Sequence, residues 1–95
     1  MKSVYKYTFP INDIIELSLP PRSHIIHVDT QDDGYSKTIA VWALVNVPVE
    51  KYLQQYKIRI AGTGHPIDNA SEQLKYINTF TMLNKNLWFH AFEIL

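Results

Sequence analysis

The stretch Gly62-Thr63-Gly64-His65-Pro66-Ile67-Asp68 gathers the groups in this sequence best suited to chemistry. It holds two of the three glycines, a hydroxyl, an imidazole and, three residues past the histidine, a carboxylate. Backbone N–H groups around Gly62 and Gly64 can form a small concavity for an anion. His65 would supply a donor that switches near neutral pH, Thr63 a hydroxyl, and Asp68 an acceptor that orients the imidazole. Tyr56, near the start of the run leading into the block, offers aromatic contact surface. Gly62, Thr63, Gly64, His65, Asp68 and Tyr56 are therefore the candidate binding residues. A second reading stands beside this one. The glycines shape a bulge and a sharp exit from a strand, Pro66 fixes the turn, and His65 bonds a nearby backbone carbonyl. The block is neither a phosphate loop, which needs a following lysine, nor a dinucleotide fingerprint, which needs a βαβ unit.

Other residues suggest less chemistry. His24, His27, His65 and His90 invite a metal reading, but on a regular strand His24 and His27 point to opposite faces, and no carboxylate stands at a matching spacing. No metal and no cofactor are expected. His90 shares a face with Trp88 and Phe92 and reads as a hydrogen-bonded core histidine, with an approach to His65 left open. Ser3, Ser18, Ser23, Ser36 and Ser71 fall in turns, strand starts or polar faces, and none sits in a strained elbow. His65 and Asp68 would make a general-base pair without a marked nucleophile. The chain is not expected to be an enzyme.

The elements that must position these groups read as strands. Tyr5, Tyr7 and Phe9 alternate with Lys6 and Thr8, and Pro10 stops the run. Ile15, Leu17 and Leu19 alternate with Glu16 and Ser18 up to Pro20-Pro21, which marks a sheet edge or corner. His24 to Gln31 forms a third strand with Ile26 and Val28 on one face. Asp32-Asp33-Gly34 is a hairpin signal. Thr38 to Val45 is apolar on both faces, as in a covered or central strand. A helical turn fits within Glu50 to Gln55, and the next strand runs from Tyr56 into the Gly62 block. Asn69-Ala70-Ser71-Glu72 has the form of a capping box with room for one or two turns. Tyr76 to Leu83, the Asn84-Lys85-Asn86 loop and Leu87 to Ile94 complete the pattern. The expected fold is all-β: a small antiparallel sandwich or partly open barrel of about seven strands, with at most one short helix around residues 69–75.

Ninety-five residues make one domain, residues 1–95, with a single core. Nine basic and nine acidic residues cancel, whereas a phosphate-gripping protein carries a basic surplus, so nucleic acid is not an expected partner. No cysteine is present, which excludes disulfides and thiolate chemistry and fits a cytosolic home. No signal-peptide pattern opens the chain and no run is long enough to span a membrane, so no membrane association is expected. Six tyrosines, four phenylalanines and two tryptophans exceed what a small core needs, and tyrosine is a common interface residue. The last strand, ending Ile94-Leu95, reads as an unprotected edge, which suggests a homodimer through strand addition.

Taken in order, Val4-Tyr5-Lys6-Tyr7, Val41-Trp42-Ala43-Leu44-Val45, Ile60 to Ile67, Leu74 to Phe80 and Trp88-Phe89-His90-Ala91-Phe92-Glu93 carry a resemblance over nearly the whole chain. The sequence resembles a family of small phage- and prophage-encoded proteins of unknown function. Their pattern is Trp-Ala-Leu-Val, then Gly-Thr-Gly-His-Pro-Ile, then Phe-His-Val-Phe-Glu. The sequence departs from it at Asn78, where the family often has glycine, and at Ala91, where it often has valine. The resemblance implies a phage origin and a role in the bacterial host cytoplasm, and it supplies no activity or ligand. The expected function is an accessory binding protein that engages, and inhibits, a host protein such as a defence component. The alternatives are a nucleotide- or anion-sequestering protein and a minor virion or assembly component.

Overall fold

The computed structural model describes residues 1–31, 38–67, 73–82 and 86–95. These residues form seven strands: β1 (Lys2–Pro10), β2 (Ile14–Leu19), β3 (His24–Thr30), β4 (Thr38–Asn46), β5 (Gln54–Gly62), β6 (Leu74–Met82) and β7 (Leu87–Ile94). They make two antiparallel sheets, in the orders β1-β4-β3 and β2-β5-β7-β6. The sheets stack over one core and do not close into a barrel, so the sandwich form of the expected all-β fold is the one adopted. Among the described residues there is no helix. Leu74 and Lys75 already belong to β6, and residues 69–72 of the expected short helix lie outside the described residues. Residues 50–53, read as a possible helical turn, are bends or irregular backbone leading into β5.

Local pattern explains most of the layering. In β2, Ile15, Leu17 and Leu19 are buried while Ile14, Glu16 and Ser18 are exposed, a strict period of two. β4 lies between β1 and β3, and Ile39, Val41, Ala43 and Val45 face the core with almost no exposure. Its other face carries Ala40, Trp42 and Leu44, so the doubly apolar pattern marks a central strand. Tyr5, Tyr7 and Phe9 pair with Ala43, Val41 and Ile39 and share their inward face. Burial, followed by the neighbouring Tyr5, holds the Tyr7 phenol above its ordinary value of 10.0. Asp32-Asp33-Gly34 lies outside the described residues, but Gln31 N–H donates to Thr38 O at 3.0 Å, and β3 and β4 are antiparallel neighbours as that signal requires.

Two bulges change the phase of the pattern. In β3 the register shifts between Ile25 and His27. Ile25 and Val28 then face the core and Ile26 is 48% exposed, which corrects the pairing of Ile26 with Val28 on one face. The same extra residue puts His24 and His27 on one face, opposite Leu44 and Trp42, where regular alternation had separated them. In β6 the shift falls between Tyr76 and Asn78, so Tyr76 is exposed although Phe80 and Met82 are buried.

One side of the sandwich is closed by a side chain. Val28 N–H donates to Asn78 Oδ1 at 2.8 Å, and Asn78 Nδ2 donates to Val28 O at 2.7 Å. The amide takes the place of a neighbouring strand's peptide group and joins the edge of β3 to β6. β7 lies between β5 and β6. It is not the free edge that its position in the sequence suggested, because strand order across a sheet is set by long-range pairing.

Candidate functional site

The site is built where β5 leaves its sheet. Thr63 N–H donates to Trp88 O at 3.2 Å, extending the β5–β7 ladder by one residue. His65 N–H then donates to Gly62 O at 3.0 Å and closes a four-residue turn with Gly64 at φ +82°. That angle requires glycine even though a Cβ at Gly64 would meet nothing within 4 Å. Gly62 matters for the opposite reason: it leaves room for the His65 ring in its present position. A Cβ there would lie 2.7 Å from His65 Nδ1 and 3.0 Å from its Cε1, because the imidazole lies over the bare backbone.

Arg59 fixes this loop from below. Its side chain is only 10% exposed. The guanidinium donates to Ile60 O at 2.7 Å, to Asp13 O at 3.2 Å and to Pro66 O at 3.2 Å. The Asp13 carboxylate, 3.9 Å away and 89% exposed, adds a weak charge contact. A buried cation satisfied by three carbonyls thus holds the turn against the outer face of the four-stranded sheet.

That outer face is a grid set by register. Ile14, Arg59, Phe92 and Tyr76 form one row across β2, β5, β7 and β6. Ala61, His90 and Thr79 form the next. Thr63, Trp88 and Thr81 form the last. A chain of hydrogen bonds runs through it. His90 Nε2 lies 2.8 Å from Thr63 Oγ1, His90 Nδ1 lies 2.9 Å from Thr79 Oγ1, and Thr79 Oγ1 lies 2.8 Å from Tyr76 Oη. Rotatable hydroxyls on both sides satisfy either tautomer of the ring. Around this line stand aromatic rings. Tyr76 meets Phe92 edge-on, with centroids 5.7 Å apart, and Tyr76 and Trp88 are 58% and 55% exposed. At the Trp88 end, an open hollow of about 360 Å³ is lined by Gly62, Thr63, His65, Asn86, Leu87, Trp88 and Phe89.

The arrangement sets a line of hydrogen-bonded hydroxyl and imidazole groups beside exposed aromatic rings. Thr63 and His90 stand at the distance of a nucleophile and its base, but the group behind the imidazole is the neutral Thr79 hydroxyl. A carboxylate is what would stabilise the imidazolium formed when the base takes a proton. Two N–H groups of the Gly62 block, those of Thr63 and His65, are spent on carbonyls of the fold, which removes them from the expected anion concavity. Among the described residues no three His, Asp or Glu side chains converge as metal ligands.

Of the six expected binding residues, Gly62, Thr63, Gly64 and His65 come together in the turn, and Asp68 lies outside the described residues. Tyr56 does not join them. It sits six residues earlier on β5, roughly 20 Å along the strand. There its hydroxyl accepts from Ser23 N–H at 3.2 Å and donates to Gln54 Oε1 at 3.3 Å. His90 is hydrogen-bonded as expected but lies on the outer face. Ala91, fully buried, faces the core instead, together with Phe89, because Arg59 on the neighbouring strand points outward opposite Phe92. Trp88, Tyr76, Thr79 and Arg59 were not singled out as site residues by sequence reasoning. The one local signal was the threonine at alternate positions of β6, which marks its polar face.

The family model for a domain of unknown function, DUF7352, matches residues 1–94, and the chain belongs to that family. No curated protein and no solved structure matches the chain.

Proposed function

We propose that this chain is a phage-encoded accessory protein that binds a host protein in the bacterial cytoplasm and blocks it sterically. The contact surface is the outer face of the β2-β5-β7-β6 sheet, with Trp88 as the anchor and the Gly62–His65 turn as the rim of the adjoining hollow. The observation that carries this reading is the exposure of Trp88 and Tyr76 on one face, on either side of a polar line whose hydrogen bonds are already made. Interface cores favour exposed aromatics whose polar neighbours need no further partner. The zero net charge fits a partner other than nucleic acid. The resemblance to phage and prophage proteins is what directs the search to a bacterial host.

A tagged chain is incubated with host lysate, and the enriched protein is purified and titrated against wild type and Trp88→Thr. One saturable partner whose affinity falls about 30-fold or more in the variant, a loss of about 2 kcal/mol, supports the proposal. No enriched protein, or a partner indifferent to Trp88, overturns it. A nucleotide panel run by thermal shift on the same material identifies the sequestering alternative, since a ligand at a hundred times its Kd adds about 2.7 kcal/mol.

A further inference from the structure

The four edge strands are not equally protected. β2 has six residues and runs into Pro20-Pro21. β3 and β6 are bulged, and Asn78 occupies the edge groups of Val28. β1 has nine residues and an unbroken register with β4 from Lys2 to Pro10. Val4 and Tyr5, 53% and 37% exposed, lie in its first half.

The ladder phase shows which groups β1 leaves free. Val47 N–H donates to Met1 O at 2.9 Å, in register with the pair Lys2↔Asn46. Odd-numbered residues of β1 therefore exchange their hydrogen bonds with β4. The N–H and C=O groups of Lys2, Val4, Lys6 and Thr8 point to the open edge. A second copy lying antiparallel across a two-fold axis must place these even residues opposite one another. Four registers do so around the middle of the strand, and one of them, centred on Tyr7, sets Lys6 against Thr8 but Val4 against Pro10, which has no N–H to give. Centring on Val4 sets Lys2 against Lys6, and centring on Lys6 sets Lys6 against itself. Centring on Tyr5 sets Lys2 against Thr8 and Val4 against Lys6, with the two Lys6 side chains only diagonal neighbours.

We propose that the chain forms a two-fold homodimer through β1–β1 pairing centred on Tyr5, which joins the two three-stranded sheets into one. Like-charge opposition removes the registers centred on Val4 and Lys6, the missing N–H of Pro10 costs the one centred on Tyr7 a hydrogen bond, and the blunting of β2, β3 and β6 leaves β1 as the edge that pairs. The surface is distinct from the face proposed for the host protein.

The sequence contains no cysteine, so single cysteines report cleanly. Tyr5→Cys places two thiols in a non-hydrogen-bonded pair, with Cα atoms about 4.5 Å apart and within disulfide reach. Under mild oxidation it should cross-link to a dimer. Ser3→Cys alone and Tyr7→Cys alone should not, because like positions lie about 13 Å apart along the strands. Mixed together, those two should cross-link to each other. Sedimentation of the wild type at about 100 µM, where a micromolar pairing is close to saturated, should give twice the 11.1 kDa of one chain. Val4→Pro removes an edge N–H while sparing the bonds to β4, and should give a folded monomer with an unchanged circular dichroism spectrum. A monomeric wild type overturns the proposal, as does self-cross-linking of Ser3→Cys, or a failure of Tyr5→Cys to cross-link.

Discussion

Both outer faces of the sandwich carry a tryptophan beside a histidine, yet the two rings are left in different states. On the three-stranded sheet, Trp42 sits in the middle of the central strand. His27 of β3 meets it with ring centroids 5.4 Å apart, and Lys6 Nζ of β1 lies 5.8 Å from its centroid. His27 is turned in addition towards Asp29, at 3.5 Å. Trp42 is thus half-covered by its own neighbours. On the four-stranded sheet, Trp88 faces, among the described residues, Thr63 and Thr81 across the strands, and the Thr63 hydroxyl is committed to His90. Long neighbours fold a tryptophan into the molecule, and short, already bonded neighbours leave its face exposed. The same residue type is therefore packed on one face and exposed on the other, where the proposed partner would meet it.

Exchanging each ring for threonine, which keeps β propensity, tests this contrast most strongly. Trp42→Thr should cost about 2 kcal/mol, roughly half the loss for a fully buried tryptophan, and lower the Tm by about 8–16 °C for a domain of this size. Trp88→Thr should leave stability within about 0.5 kcal/mol of wild type while removing partner affinity. Thermal unfolding and titration of both variants decide the matter. Equal losses of stability would erase the distinction between the faces.

The histidines sharpen it at a smaller scale. His90 links β5 to β6 across β7 through two threonine hydroxyls, so His90→Ala should cost about 1 kcal/mol, with water replacing part of the loss at this half-exposed position. His27→Ala gives up one tilted ring contact and an exposed ion pair and should cost about 0.5 kcal/mol or less. Restoring a cross-strand bond with His90→Asn should recover part of the first loss. Urea unfolding resolves the difference if both variants keep the wild-type m-value.

Much of the fold is legible where one strand carries its own evidence. Ile15, Leu17 and Leu19 fix the inward face of β2, and Val41 with its neighbours fixes β4 as central. The misreadings occur where the answer lies in another strand. Ile26 and Ile77 are ordinary strand residues, and no glycine or proline marks the bulges that reverse the faces around them. Trp88, His90 and Phe92 form as apolar a face as Phe89, Ala91 and Glu93, so β7 alone cannot show which side meets the core. Its pairing with β5, where Ile58 and Ile60 point in and Arg59 points out, decides that. The Gly62 turn was visible because its glycines answer to local backbone geometry. The His90 line was not, because it joins three strands through register.

The two glycines of the turn give the most selective effect. Gly64→Ala meets open space but strains a positive φ, and should cost about 1 kcal/mol of stability. Gly62→Ala places a Cβ where the His65 ring now lies, yet that ring is exposed and can swing outward, so stability should change by less than about 0.5 kcal/mol. The displaced imidazole would leave the hollow beside Trp88 without one of its walls. Partner affinity should therefore fall in Gly62→Ala and not in Gly64→Ala measured below its lower Tm. In a His65→Ala background, Gly62→Ala should have no further effect on binding, because the two changes remove the same wall. Additive losses in that cycle would mean that Gly62 contacts the partner directly, and His65 would then not be the group that the turn presents.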